Sequence, residues 1–212
     1  MKKKLSLIFS VIVAVSLLLT ACGFSSRITL GVMENGVYKN NYFGLSVQLP
    51  KEWSIQDIES MNQLAETENT SAGGEGETKK PDLSQAETLN FIMASKYPQN
   101  QQEAVNPSFI CNSENLSFLQ NVKTGKDYLE SAKNLLIDSQ LPYIFEKDIY
   151  TEKLGEKDFN VMEAFIQSGS TKVTQRYYSA IIKDYALNFI VTYFDDASKA
   201  EVDSILKTVS FK

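Results

Sequence analysis

The chain is 212 residues long, 43% apolar and 22% charged, with 21 basic against 26 acidic side chains and a formal net charge of −5. That is a globular composition with room for one substantial core. No histidine occurs anywhere, which excludes Ser-His-Asp and Cys-His nucleophile systems, imidazole general bases and metal sites that rely on imidazole.

The first 22 residues read MKKKLSLIFSVIVAVSLLLTAC: three lysines, an apolar run from Leu5 to Leu19, then small residues before a cysteine. This is the pattern of a secretory signal peptide over residues 1–21. As a helix the run covers roughly 22 Å, short of the ~30 Å hydrocarbon core, so a removed leader is expected rather than a membrane span. Leu19-Thr20-Ala21-Cys22 resembles the lipobox of bacterial lipoproteins. The resemblance implies cleavage between Ala21 and Cys22, with Cys22 as the lipid-attachment residue carrying diacylglycerol and its palmitate-type chains. At about 0.8 kcal/mol per buried CH₂, two acyl chains anchor a protein far more firmly than one. Loss of Lys2, Lys3 and Lys4 leaves 18 basic against 26 acidic residues, a net charge of −8. Such a body is repelled by nucleic acid and by anionic phospholipid, so the lipid is the expected membrane contact and no nucleic-acid partner is expected. Gly23 stands where an aspartate would resemble the inner-membrane retention signal of Gram-negative bacteria, and we favour a Gram-positive envelope.

With Cys22 lipidated, Cys111 is the only other cysteine and has no intramolecular partner. Its setting, Ser108-Phe109-Ile110-Cys111-Asn112, has no basic neighbour to lower a thiol pKa, and a half-buried strand residue is expected there.

Residues 22–36 are expected to be a lipidated tether, followed by one domain over 37–212. Val37-Tyr38-Lys39 leads through Asn40-Asn41 into Tyr42–Pro50, where Leu45, Val47 and Leu49 alternate with polar residues as in a strand. Trp53 is expected to close the core edge. Ile58, Met61, Asn62 and Ala65 fall at helical spacing, predicting a weak helix over 55–65. Residues 66–82, ETENTSAGGEGETKKPD, form an acidic insertion with no large apolar residue, expected as a flexible loop. Glu66, Glu68, Glu75 and Glu77 lack the spacing of a calcium loop. A strand is predicted over Thr88–Ser95 and another over Ser108–Cys111. Thr124-Gly125-Lys126-Asp127 reads as a capping box opening a helix whose stripe is Tyr128, Leu129, Ala132, Leu135 and Leu136. Four aromatic and β-branched runs follow, Tyr143–Glu152, Phe159–Ser168, Lys172–Lys183 and Tyr185–Phe194, with short turns between them, predicting an antiparallel meander. The last run is apolar on both faces, which calls for helices on both sides of the sheet. Ser198-Lys199-Ala200-Glu201 suggests a second capping box, ahead of a C-terminal helix with Val202, Ile205, Leu206 and Val209 inward.

Tyr38-Lys39-Asn40, Phe43–Pro50 and Trp53 at one end, with Phe194-Asp195-Asp196 and Glu201–Phe211 at the other, resemble the Mog1p/PsbP/DcrB-like superfamily. The resemblance implies an α+β fold: a single α/β/α sandwich with a central antiparallel sheet and a C-terminal helix packed on it. Its motif is a packing signature without a chemical group, so it implies no site residue; the insertion at 66–82 departs from it.

Among chemically suggestive residues, Asp195 and Asp196 are placed to complement the last helix N terminus. Tyr177, Tyr178, Tyr185 and Tyr193 could offer an aromatic surface for glycans, although alternation buries some of them. Glu163 and Arg176 could pair across the ladder. No catalytic residue, metal ligand or cofactor site is expected. The sequence favours a membrane-anchored extracytoplasmic lipoprotein, a non-catalytic accessory or protein-binding module with an envelope protein partner. The alternatives are a small-ligand carrier and, third, an enzyme built on carboxylates or Tyr and Lys.

Overall fold

The structure, a computed structural model, describes residues 27–58, 62, 83–98 and 105–212. The signal peptide, Ala21, Cys22 and the insertion at 66–82 lie outside the described residues, as does most of the segment expected to be helical over 55–65. Ile58 and Asn62 are helical, whereas Ile55 belongs to a short strand.

The fold is mixed α+β with antiparallel sheets and a C-terminal helix. Strands β1 (Val32–Glu34), β2 (Val37–Asn40) and β3 (Leu45–Gln48) form a small sheet completed by the C-terminal β11 (Ser210–Phe211), in the order β1-β2-β3-β11. The β1–β2 turn is Asn35-Gly36, both at positive φ (52° and 78°), the tight hairpin geometry that Asn-Gly adopts with little strain. The stretch expected as a tether is therefore folded in its second half: Ile28 is buried in the core and β1 pairs with β2. Gly44 (φ 66°) lies so close to the C terminus that a Cβ there would overlap the Lys212 carbonyl, and its own carbonyl accepts the Lys212 N–H at 2.9 Å.

The larger sheet has seven antiparallel strands, β4 (Ser54–Ile55), β5 (Thr88–Ser95), β6 (Ser108–Asn115), β7 (Tyr150–Leu154), β8 (Lys157–Ser168), β9 (Thr171–Ile182) and β10 (Tyr185–Tyr193), ordered β4-β5-β6-β10-β9-β8-β7. The expected meander is present, but its first strand starts at Tyr150 rather than Tyr143. Upstream, among the described residues, backbone pairing with the sheet is confined to Ile144, in a bridge to Phe165. Strand β6 runs four residues beyond Cys111, because the alternation continues through buried Ser113 and Asn115. A bulge between Asn90 and Ile92 in β5 lets consecutive Phe91 and Ile92 both enter the core.

The inner face of the large sheet, with Phe91, Phe109, Cys111, Tyr178, Leu187, Phe189 and Val191, packs against Tyr38, Phe43, Leu45 and Val47 of the small sheet region. Helix α2 (Asp196–Leu206) covers the same face with Val202, Ile205 and Leu206. Helix α1 (Gly125–Asp138) lies on the other face, over β8 and β9. Its capping box is the expected one: Thr124 Oγ1 accepts the Asp127 N–H at 3.1 Å and Asp127 Oδ2 accepts the Thr124 N–H at 2.8 Å. The α2 box sits three residues earlier than predicted. Asp195 is the N-cap and accepts the Ser198 N–H at 2.7 Å, while Ser198 Oγ accepts the Asp195 N–H at 3.1 Å. An aspartate is as good a cap as serine, and the earlier start leaves Ser198 buried inside the first turn.

Candidate functional site

A polar row crosses the outer face of the large sheet. Register pairs Asn90 with Asn112, Asn112 with Asn188, Asn188 with Ser179, and Ser179 with Asn160, so one row holds a polar side chain on each of five adjacent strands. At one end of it, Asn62 caps the bulged β5 edge: its Oδ1 accepts the Asn90 N–H and its Nδ2 donates to the Asn90 carbonyl, both at 2.9 Å. Further along, the first turn of α1 sits directly on the sheet. A Cβ at residue 125 would overlap the Ser179 carbonyl oxygen and approach Asn160 Oδ1 to 3.1 Å, so only glycine permits this approach.

Beyond that first turn α1 and the sheet enclose a cleft of about 260 Å³. Leu129, Ala132, Leu135 and Leu136 of α1 and Ile190 of β10 make an apolar wall, while Asn112, Glu114 and Asn188 lie at the floor with Tyr128 and Tyr177 beside them. Glu114 Oε1 accepts the Tyr128 O–H at 2.7 Å. Burial pushes the Glu114 carboxyl above the ordinary range, a rise that the Tyr128 bond opposes and the Glu87 charge reinforces. Burial likewise raises the Tyr128 phenol, and the neighbouring Glu114 charge adds to it. Asn188 Nδ2 donates to Asn112 Oδ1 at 3.2 Å. Asn188 Oδ1 and Ser179 Oγ are buried without a hydrogen-bond partner among the described residues. A half-buried acceptor below an aliphatic wall is the chemistry of a binding pocket, orienting one polar end of a ligand.

The sequence-selected residues lie elsewhere. Tyr178, Tyr185 and Tyr193 are buried in the core; Tyr177 and Tyr178 both border the cleft, with the Tyr177 hydroxyl donating to Gln175 Oε1 at 2.7 Å, and the four do not form an aromatic surface. Glu163 and Arg176 are register partners, but their charges go separate ways: Glu163 meets Lys147 at 3.5 Å, while Arg176 turns to Asp203 on α2. Arg176 lines a second groove, of about 360 Å³, with Glu152, Lys153, Asp203 and Lys207. Cys111 is fully buried rather than half-buried, and burial pushes its thiol well up, which keeps it un-ionised. Asp195 is bound to its own helix and Asp196 stands in the first turn. Among the described residues no group of three or more Cys, Asp and Glu side chains is placed to hold a metal ion, and no helix is long and apolar enough to cross a membrane.

Sequence reasoning missed Glu114, Asn112, Asn188 and Tyr128. The alternation Ile110-Asn112-Glu114 is the signal that could have marked a partly polar outer face, but the predicted strand stopped at Cys111, and which helix covers that face is set by pairing far along the chain.

No protein-family model matches this sequence, and a comparison with curated proteins finds no match. Three similar solved structures are of low sequence identity. The solution structure of PsbP (CyanoP) from Synechocystis is 11% identical, with a TM-score of 0.48 over 90% of this chain and 97% of that one. LpqN of Mycobacterium tuberculosis, described as involved in cell envelope biogenesis, is 12% identical, with a TM-score of 0.42 over 78% of this chain and 83% of that one. A Bacteroides thetaiotaomicron protein is 16% identical, with a TM-score of 0.41 over 79% of this chain and 45% of its own length. The chain thus spans less than half of the Bacteroides protein.

Proposed function

We propose that this chain is a bacterial extracytoplasmic lipoprotein, anchored through Cys22, that acts as a non-catalytic accessory by binding an envelope protein. The leader ending in Leu19-Thr20-Ala21-Cys22 supports the anchor. The observation that carries the binding role is an exposed apolar stretch at the end of α1 and just beyond it: Leu135, Ile137, Leu141 and Ile144 are 71%, 54%, 53% and 45% exposed within ten residues of chain. Large apolar side chains left clustered in water mark contact surfaces. The test is crosslinking in intact cells with wild type and a Leu135→Asp/Ile137→Asp variant, alongside palmitate labelling of wild type and Cys22→Ala. The expected result is a captured partner that the double variant loses, and label that Cys22→Ala loses. Recovery of wild type only as a free monomer refutes the accessory role, and label retained by Cys22→Ala refutes the anchor.

A second reading, a small-ligand carrier, is favoured by the cleft under α1. A metabolite pool that raises the thermal midpoint supports it, and a midpoint unmoved by any pool counts against it.

A further inference from the structure

We propose that the cleft between α1 and the outer face of the large sheet binds a small organic ammonium ion, its charged end on Glu114 and its apolar body against Leu129, Ala132, Leu136 and Ile190. The inference rests on the carrier reading and names its ligand class. Glu114 is the one charged residue among those that line the cleft. Its Oε1 holds the Tyr128 hydroxyl, and among the described residues its second oxygen has no hydrogen-bond donor. The cleft therefore presents acceptor capacity with no resident cation, which an ammonium's several N–H donors complement. A carboxylate ligand is repelled there, and a neutral alcohol can give the free oxygen one hydrogen bond but lacks the charge that strengthens it.

Four further features agree. The volume, about 260 Å³, lies just below the roughly 300–1,000 Å³ range of drug-sized ligand pockets, suited to a single ring or a short chain. The phenol rings of Tyr128 and Tyr177 border the same space, and aromatic rings favour cations over anions. Glu114 is held in a setting that disfavours its charge, through burial and then through Glu87; a bound cation removes that penalty and so is worth more here than at an exposed carboxylate. The net charge of −8 left after loss of Lys2, Lys3 and Lys4 draws cations toward the protein at low ionic strength.

The experiment uses the lipidated protein reconstituted in phosphatidylcholine vesicles, titrated calorimetrically with phenethylamine, 2-phenylethanol and 3-phenylpropionate. Phenethylamine is expected to bind saturably and at least tenfold more tightly than 2-phenylethanol, with no binding of 3-phenylpropionate. Glu114→Gln is expected to weaken phenethylamine at least tenfold, about 1.4 kcal/mol, while leaving 2-phenylethanol unchanged. Ala132→Phe fills the cleft from the helix side with Glu114 intact and is expected to remove binding of both. Equal affinity for amine and alcohol, or amine binding indifferent to Glu114→Gln or to Ala132→Phe, overturns the proposal, as does the absence of amine binding. The carrier reading stands or falls separately, on the thermal midpoint against metabolite pools.

Discussion

Replacing Asp203 with alanine isolates what ties α2 to the large sheet. The Arg176 side chain on β9 is only 9% exposed and Asp203 25%. Asp203 accepts from the Arg176 guanidinium and, at 2.6 Å, from Lys199 Nζ. The guanidinium also lies 5.4 Å from the Tyr193 ring centroid and 5.6 Å from that of Tyr178, and its Nε is already buried without a partner among the described residues. Removing the carboxylate strands a cation that cannot deprotonate. Breaking a buried pair from one side costs about 3–5 kcal/mol; because Asp203 is a quarter exposed, the lower end, about 3 kcal/mol, applies. At the 2–4 °C per kcal/mol typical of domains this size, the thermal midpoint falls by roughly 6–12 °C. Arg176→Met costs less, since it leaves Asp203 with Lys199 at a partly exposed site, and Arg176→Met/Asp203→Leu recovers most of the loss. The pH dependence has a definite sign. Burial raises the Asp203 carboxyl, but hydrogen bonds from Lys199 and Arg176 outweigh it and hold the group below the ordinary range. A depressed folded value means that the stabilisation is present above the unfolded-state value, near ~4, and is lost as pH falls through the folded value. Urea titrations at pH 7 and at pH 3 measure both effects. A loss below about 1 kcal/mol at pH 7, set against the buried-pair cost, would refute this account of α2, as would an Arg176→Met variant no more stable than Asp203→Ala.

Three further outcomes are expected. Gly125→Ala forces α1 off the Ser179 carbonyl it rests on and should cost more than about 2 kcal/mol in a urea titration, although alanine is the better helix former by about 1 kcal/mol; a stabilised variant contradicts the seat described for α1. Asn62→Ala leaves the Asn90 N–H and carbonyl at the β5 bulge without their side-chain partners and should lose about 1–3 kcal/mol, with faster amide exchange at Asn90, and unchanged exchange there counts against the cap. Glu114→Gln keeps an acceptor for Tyr128 while deleting a carboxyl raised by burial, with Tyr128 of α1 opposing and Glu87 ahead of β5 reinforcing the rise. A raised folded value makes wild-type stability fall as pH rises through it. The variant should therefore match wild type at pH 4 and exceed it at pH 8 in urea midpoint, and a gap that does not change with pH rules this out.

Much of the fold was legible because its signals are local. Thr124 and Asp127 lie three residues apart and make their box whatever α1 packs against. The alternation of Leu187, Phe189 and Val191 marks one buried face of β10 wherever that strand sits in the sheet. The misplacements come from competition between neighbours that local pattern does not resolve. Asp195 and Ser198 can each cap a helix, and burial of Ser198 favoured the earlier start. Tyr143 and Phe145 look like strand residues, but the segment's only backbone pairing with the sheet is the Ile144–Phe165 bridge, and Leu141 and Ile144 are left in water. Residues 28–34 read as tether because Gly31 interrupts the short Ile28-Leu30-Val32 alternation; their order comes from the Asn35-Gly36 turn, which folds β1 back on β2.

The cleft was not legible because none of its members is unusual alone. Tyr128, Leu129 and Ala132 are three positions of an ordinary apolar helix stripe, and Asn112 and Glu114 are the polar half of an ordinary alternating strand. They meet only because β10 returns to pair with β6 on one side and β9 on the other, which carries Asn188 to Asn112, and because Gly125 lets α1 rest on β9 at the Ser179 carbonyl. The spacing of the site is thus a property of the sheet order. A strand order that placed β9 against β6 would keep every local signal in this sequence and separate Asn188 from Asn112. Glu114 is the member that packing alone does not account for: glutamine would accept the same Tyr128 hydrogen bond without the penalty of a buried charge. A fold that retains the carboxylate there accepts lower stability at neutral pH, and binding a cation in the cleft is a function that recovers it.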